Sequence, residues 1–429
     1  MSDLQRAFAR AHLSRLPPEA PPHPPPPILD ERDEDQDEVS GIPPESPNDS
    51  SSSASSTSST GTIVPSPSRK LFERPRGCTQ ISLPVSYPHT DSPSSAKSRS
   101  SPLPWDDFFS QSSSFEQRTP SEIITHHVYL TPPTSTGPLI VTHHGAGSSG
   151  LSFAAFTIEL LRLLPSAGVL SLDARGHGQT TTTTTSGGSP PTQDLSLSTL
   201  AEDLAFVVNA VKTQLKWSAL PDIVLIGHSL GGAVVTEVAH ERLLGNALLA
   251  YGVLDVVEGS AMDALSSMDT YLSTRPRSFP SLASGIEWHL KSRTIRNTTS
   301  ARVSVPSLLV ESKSKDIWTW RTDLGATKPF WEGWFVGLSK KFLESRGGKL
   351  LLLAGTDRLD KELMIGQMQG KYQLLVFPDS GHFIQEDQPA KTAHVVADFY
   401  RRNDRSALVL PPKVDDLIKQ GKLKPPGQK

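Results

Sequence analysis

The stretch Ile223-Val-Leu-Ile-Gly-His-Ser-Leu-Gly-Gly-Ala-Val-Val235 constrains this chain more than any other. It opens with four consecutive β-formers, the pattern of a strand buried on both faces. Gly227-His-Ser-Leu-Gly231 follows at once and matches G-x-S-x-G. Small residues compatible with a helix come next. A serine at such a strand–turn–helix junction is held in a strained, exposed position, where it acts as a nucleophile. The reason for the glycines is steric: side chains on either flank would collide as the chain doubles back. The turn also aims a helix N-terminus at the reacting oxygen, which favours developing negative charge.

The same alternation continues along the chain. Apolar runs predict strands at 124–130, 139–143, 168–173, 223–226, 248–254, 350–354 and 372–377. Helical periodicity falls between them at 151–164, 198–215, 231–244 and 390–401. This β–α–β rhythm predicts an α/β fold, a mostly parallel sheet flanked by helices. Two segments break it. Residues 180–191 are rich in Thr, Ser, Gly and Pro and read as a flexible surface insertion. Residues 258–348 carry helical patterns and many aromatics, and read as a helical cap over the strands' C-terminal edge, where open α/β sheets bind ligands.

Composition sets the outer limits. Hydrophobic residues make up 36% of the 429, and about half of the 37 prolines precede Trp105. Residues 1–103 therefore read as a disordered Pro/Ser-rich arm, which cannot bury enough apolar surface to offset the entropy of ordering. Residues 104–401 form the expected folded domain, and 402–429 a loose basic tail. A net charge of −3 argues against a nucleic-acid partner. The single cysteine excludes a disulfide framework. No apolar run reaches membrane-spanning length, and no secretory leader is evident, so an intracellular monomer in cytoplasm or nucleus is expected.

The remaining catalytic groups follow from strand order. His143-His-Gly-Ala-Gly-Ser148 follows a strand, and such a loop donates one backbone N–H to an oxyanion hole. Ala146 is the expected donor, and Leu230, next after the nucleophile, the other. Without a carboxylate–histidine constellation nearby, His143 and His144 do not read as metal ligands, and no metal is expected. The base must be a histidine after the last strand. His382, in Asp379-Ser-Gly-His382, fits, whereas His177 and His289 come too early or lie in the cap. The acid must lie between Ser229 and His382. Asp255 and Asp357 each follow a strand, and geometry alone favours neither, although Asp357 holds the commoner place in strand order.

These residues together resemble the protein phosphatase methylesterases, a family of α/β-hydrolases. The likeness extends to Leu254-Asp-Val-Val-Glu-Gly-Ser-Ala-Met-Asp-Ala-Leu265, Ile286-Glu-Trp288, Ile295-Arg-Asn297, Ser300-Ala-Arg-Val-Ser304 and Trp331-Glu-Gly-Trp-Phe335. It continues through Lys349-Leu-Leu-Leu-Leu-Ala-Gly-Thr-Asp-Arg-Leu-Asp360 and Ile365-Gly-Gln-Met-Gln-Gly-Lys371, with Pro104-Trp-Asp-Asp-Phe-Phe109 as lead-in. The resemblance implies hydrolysis of the methyl ester on the C-terminal carboxylate of the type 2A protein phosphatase catalytic subunit, its protein partner. It places the nucleophile on Ser229, the base on His382 and the acid on Asp255. No cofactor is implied. Trp288, Trp331 and Trp334 are then expected to line an apolar groove for the substrate tail, and Arg275, Arg277, Arg293 and Arg296 to attract an acidic partner surface. The loop His144-Gly-Ala-Gly-Ser148 departs from the family's His-Gly-Gly-Gly-His, and Ala146 is expected to tighten it. From the residues alone, a generic small-ester esterase or a non-catalytic phosphatase-binding protein stays open.

Overall fold

Every apolar run singled out above becomes a strand, and the burial pattern shows why the runs are unbroken. Along Ile223–His228 every residue is buried. Ile223 and Leu225 pack in one core cluster and Val224 and Ile226 in another, because successive side chains point to opposite sheet faces. Leu351 and Leu353 divide from Leu350 and Leu352 in the same way. Both faces are thus covered and both alternating sets must be apolar.

The structure is a computed structural model, describing residues 100–405 apart from 135–136, 186–192, 313–315 and 356–358. The arm expected over 1–103 apart from its last four residues, all but the start of the tail expected over 402–429, and Asp357 therefore lie outside the described residues. In chain order the strands are β1 (Gln111–Arg118), β2 (Glu122–Thr131), β3 (Leu139–His143), β4 (Gly168–Leu172), β5 (Thr181–Thr184), β6 (Ile223–His228) and β7 (Leu248–Leu254). Three short strands of the cap follow: β8 (Ser278–Phe279), β9 (Leu309–Glu311) and β10 (Trp318–Trp320). Strands β11 (Gly348–Leu353) and β12 (Gln373–Val376) complete the set. The main sheet runs β1-β2-β4-β3-β6-β7-β11-β12, with β5 beside β2. It is parallel from β4 to β12 and antiparallel at β1, β2 and β5.

Helices α1 (Ala154–Leu163) and, at the end of the domain, Pro389–Asn403 cover one face. Helices α2 (Leu197–Gln214) and α3 (Leu230–His240) cover the other. Between β7 and β11 lies the insertion, with helices α4 (Glu258–Leu265), α5 (Leu282–Lys291), α6 (Thr298–Leu308) and α7 (Leu338–Glu344). It has a small core of its own around Phe279, Ile286, Ile295, Val305 and Leu309, closed by the β8-β10-β9 sheet.

Three expectations need correction. Residues 331–344 are not cap: Trp331, Trp334, Phe335, Leu338 and Phe342 belong to the main core, packed with α3 on the sheet. The tract at 180–191 is not all loop, because its threonines at 181–184 pair antiparallel with β2. β-branched threonine suits a half-exposed strand whatever its polarity. Strand β1 was not foreseen. Gln111-Ser-Ser-Ser-Phe-Glu-Gln-Arg118 has no apolar run, since it lies at the sheet's edge and only Phe115 among its side chains packs on the core.

Candidate active site

Three elements converge where β6, β7 and β11 end. At the first, the chain leaves β6 and turns directly into α3 through Ser229, whose backbone sits at φ 53° and ψ −121°. A non-glycine residue there costs about 1–3 kcal/mol and persists only when its surroundings impose it. Two hydrogen bonds do so: Ser229 N–H donates to Leu254 O (2.9 Å), and Gly232 N–H to Ser229 O (2.8 Å). The flanking glycines are equally forced. A Cβ at Gly227 would lie 2.0 Å from Gly231 O, and one at Gly231 would lie 2.1 Å from His143 O. Both obstacles are backbone and cannot yield.

The second and third elements bring an acid to a base. Asp255 follows β7 in a left-handed conformation (φ 53°), which aspartate tolerates better than most residues. Its N–H donates to Leu352 O (2.8 Å), and its Oδ1 accepts Ala354 N–H (2.7 Å). Both bonds tie it to β11 and leave Oδ2 facing His382 Nδ1 at 2.7 Å. The residue before the nucleophile pins the base's backbone: His228 Nε2–H donates to His382 O (2.9 Å), and the two rings lie 4.7 Å apart. Of the two aspartates left open by strand order, Asp255 is the one seen against the imidazole.

The loop after β3 crosses the nucleophile. A Cβ on Gly145 would fall 3.0 Å from Ser229 Cβ. Gly147 N–H donates to His177 Nε2 (2.9 Å) and Ser148 N–H to Gly145 O (3.1 Å). Among the described residues, the N–H groups of Ala146 and Leu230 are engaged by no other group. Leu230 is the first residue of α3, where an N–H has no partner within the helix. The left-handed residue of this loop is Gly147 (φ 75°), not Ala146, so the alanine does not tighten it as expected.

Sequence reasoning passed over the part played here by His177. It is buried, and its Nδ1 faces the carbonyl of Arg175 (2.9 Å), which only accepts. The proton therefore sits on Nδ1 and leaves Nε2 to accept Gly147 N–H. His144 does the same between Gly145 O and Ala174 N–H. With their nitrogens so engaged, both are supports of the loop rather than metal ligands. Burial holds His143, His144, His177 and His228 below the ordinary histidine value, His143 at about 4. The loop sequence Asp173-Ala-Arg-Gly-His-Gly178, at a strand end, was the available signal.

A second trio of the same residue types exists. Ser112 Oγ lies 2.7 Å from His127 Nε2, and His127 Nδ1 lies 2.9 Å from Asp173 Oδ2. Ser112, however, is the second residue of strand β1, paired opposite Tyr129, and not the turn between a strand and a helix that Ser229 occupies. Asp173 is also committed to Gly150 N–H and Gln179 N–H. This trio stitches β1, β2 and β4 together.

A family model of the alpha/beta hydrolase family matches residues 140–395. Among curated proteins, protein phosphatase methylesterase 1 of Aspergillus oryzae is 60% identical over 433 residues, covering 99% of this chain and 95% of its own. The chain belongs to the protein phosphatase methylesterase family. The protein of that name from Schizosaccharomyces pombe is 48% identical over 67% of this chain and 80% of its own. Among solved structures, E-2-(acetamidomethylene)succinate hydrolase has a TM-score of 0.53 at 18% identity, covering 68% of this chain and all of that one. The peroxisomal alpha-beta-hydrolase Lpx1 of Saccharomyces cerevisiae reaches 0.51 at 12%, covering 72% and 94%. At such identities these structures share the α/β-hydrolase fold.

The aromatic groove expected of this methylesterase-family chain is not where the sequence put it. Trp331 and Trp334 are 6% and 3% exposed, packed in the main core. Their indole N–H groups are spent on Thr327 Oγ1 and Leu195 O. Trp288 packs in the cap against Phe279 and Trp320. A cap side chain that reaches the loop beside the nucleophile is Leu324, whose Cδ1 would lie 2.8 Å from a Cβ on Gly147. Two of the four arginines are also internal. Arg275 stacks on Trp320, 3.7 Å from the ring centroid, and Arg296 ion-pairs with Asp387. Arg277 and Arg293 remain exposed. Among the described residues, no helix is long and apolar enough to cross a membrane, and no group of His, Cys, Asp and Glu could hold a metal ion.

Proposed function

We propose that this chain is a serine carboxylesterase that removes the methyl ester from the C-terminal carboxylate of the type 2A protein phosphatase catalytic subunit. The observation that carries the substrate is the 60% identity, over 99% of the chain, to a protein named for that activity. The chemistry follows from the residues. Ser229 Oγ attacks the ester carbonyl while His382 Nε2 takes its proton. Asp255 holds the imidazole in the tautomer with Nδ1 protonated and stabilises the imidazolium. The N–H groups of Leu230 and Ala146 receive the oxyanion, each contributing about 10²–10³ in rate. His382 returns the proton to the leaving methoxide, and methanol departs. Water then attacks the acyl-serine by the same route and frees the carboxylate.

The reading is tested by methanol release from methylated phosphatase catalytic subunit, compared with turnover of a short soluble ester, for the wild-type chain and Ser229→Ala. Expected are methanol release by the wild type and a loss of about 10⁵–10⁶ in kcat in the variant. Turnover of the short ester alone would leave only a generic esterase. Tight phosphatase binding with no turnover of either ester would leave a binding protein.

A further inference from the structure

The motifs Ile295-Arg-Asn297 and Ser300-Ala-Arg-Val-Ser304 lie in the cap, and nothing in the acyl-transfer chemistry uses them. Hydrogen bonds of Arg296, Ser300 and Ser304 lead to one place, the segment that carries the base. Arg296, between α5 and α6, donates from Nη1 to Asp379 O (2.5 Å). Its backbone N–H donates to Asp387 Oδ1 (2.7 Å), and its Nε lies 3.5 Å from Asp387 Oδ2. That same Oδ2 accepts Gly381 N–H (2.6 Å). The two peptide groups that flank Ser380, just before His382, are thus fixed, one by a cap arginine and the other by that arginine's carboxylate partner. The fit is close: a Cβ on Gly381 would lie 2.9 Å from Asp387 Oδ2 and 3.3 Å from Arg296 Nε.

A second set of bonds anchors this corner. Ser300 Oγ donates to Glu386 O (2.7 Å) and Ser304 Oγ to Glu386 Oε2 (2.6 Å), while Ser152 Oγ meets Glu386 Oε1 (2.6 Å). Helix α6 is therefore bolted to the turn that follows His382. The pair is enclosed, the Asp387 side chain being 1% and that of Arg296 13% exposed. A surface ion pair contributes little, but enclosed groups hold their geometry, and a catalytic group displaced by about 1 Å can lose about 10²-fold in rate.

We infer that Arg296 and Asp387 are positioning residues for His382: the Arg296–Asp387 clamp on Asp379 O and Gly381 N–H sets the imidazole against Ser229. This rests on His382 being the general base. A stabilising ion pair alone would not require both members to bond the peptides beside one catalytic side chain.

The experiment compares Arg296→Ala, Arg296→Lys, Asp387→Asn and His382→Asn in the full chain. It measures kcat and KM for a short soluble ester, the rate of labelling of Ser229 by a fluorophosphonate, and the thermal midpoint. Arg296→Ala is expected to lower kcat about 10–100-fold with KM within about twofold. Labelling should slow in parallel, because both need a Ser–His pair in register. Arg296→Lys keeps one donor for Asp379 O and should recover at least part of the loss. Asp387→Asn keeps the shape, and should cost kcat by removing the charged acceptor of Gly381 N–H. If Arg296→Ala does not fold, Arg296→Lys and Asp387→Asn decide, and wild-type kcat and labelling in both would overturn the inference. So would Arg296→Ala with unchanged kcat, or a loss confined to the thermal midpoint. Should His382→Asn stay active, the base itself is misassigned, a failure distinct from the loss of the clamp alone.

Discussion

Asp255→Asn isolates the acid's role with little change of shape. Asparagine accepts the left-handed backbone that Asp255 adopts (φ 53°), so the turn survives. The structure also fixes which way the new amide must face. Ala354 N–H, 2.7 Å from Oδ1, needs an acceptor and will hold the amide oxygen. The amide NH₂ must then point at His382 Nδ1, where Oδ2 now sits at 2.7 Å. Two donors cannot face each other, so Nδ1 gives up its hydrogen and the proton moves to Nε2. That is the nitrogen that must be empty to take the proton from Ser229. The expected loss is about 10⁴ in kcat, or about 5 kcal/mol of transition-state stabilisation. It is read from initial rates on a short ester at saturating substrate, with circular dichroism to establish that the variant folds. A kcat within about tenfold of wild type would refute the argument and return attention to Asp357.

Other consequences are as specific. Gly231→Ala forces a Cβ to 2.1 Å from His143 O, so it should lose more than about 2 kcal/mol in denaturant melts; an unchanged midpoint would contradict the packing described. His177→Ala strands Gly147 N–H and should lower kcat about tenfold while His177→Gln, which can still accept, recovers part of it, as steady-state kinetics would show. Stability should fall on acidification. His126, His143, His144, His177, His228 and His289 are all depressed by burial, two of them to about 4, so below pH 6.5 the unfolded chain binds protons that the folded one refuses. Their stabilisation is complete above pH 6.5 and lost as pH drops toward 4, by about 2 kcal/mol at pH 5 for each of His143 and His289. Glu386, raised by burial to about 8, opposes this with one proton, since its folded form favours the acid. A urea midpoint at pH 5 equal to that at pH 7 would refute the balance.

What the sequence made legible, it did through local chemistry. Ser229 announces itself because strand, glycines and helix adjoin in the chain, and β6 and β11 because burial on both faces demands unbroken apolar runs. Asp255 and Asp357 could not be separated in that way. Each is an aspartate ending an apolar strand, and what places Asp255 is the Leu352 carbonyl and the Ala354 amide that receive it, a matter of sheet register. Trp331 and Trp334 were misplaced for a related reason. An indole in an insertion reads alike whether it faces a ligand or α3, and only the fold shows their N–H groups spent on Thr327 and Leu195. Strand β1 escaped because an edge strand can be polar on nearly every side chain. The segment 295–304 was legible as a motif and silent as to purpose, since its partners lie some eighty residues further on.

Helix α6 is also gripped from the other direction. Arg302 Nε donates to Ser101 O (2.7 Å), its Nη2 to Ser101 Oγ (3.0 Å), and Leu103 N–H donates to Arg302 O (3.0 Å). The natural place to trim this chain would be Pro104, just ahead of Trp105, where order was expected to begin. A protein cut there would keep every strand and all three candidate catalytic side chains. It would also have unbuttoned the helix that carries Ser300 and Ser304, which bond Glu386 four residues past the base. Shortened versions meant for assay or crystallisation should start ahead of Ser100, or their kinetics will describe a looser enzyme than the native one.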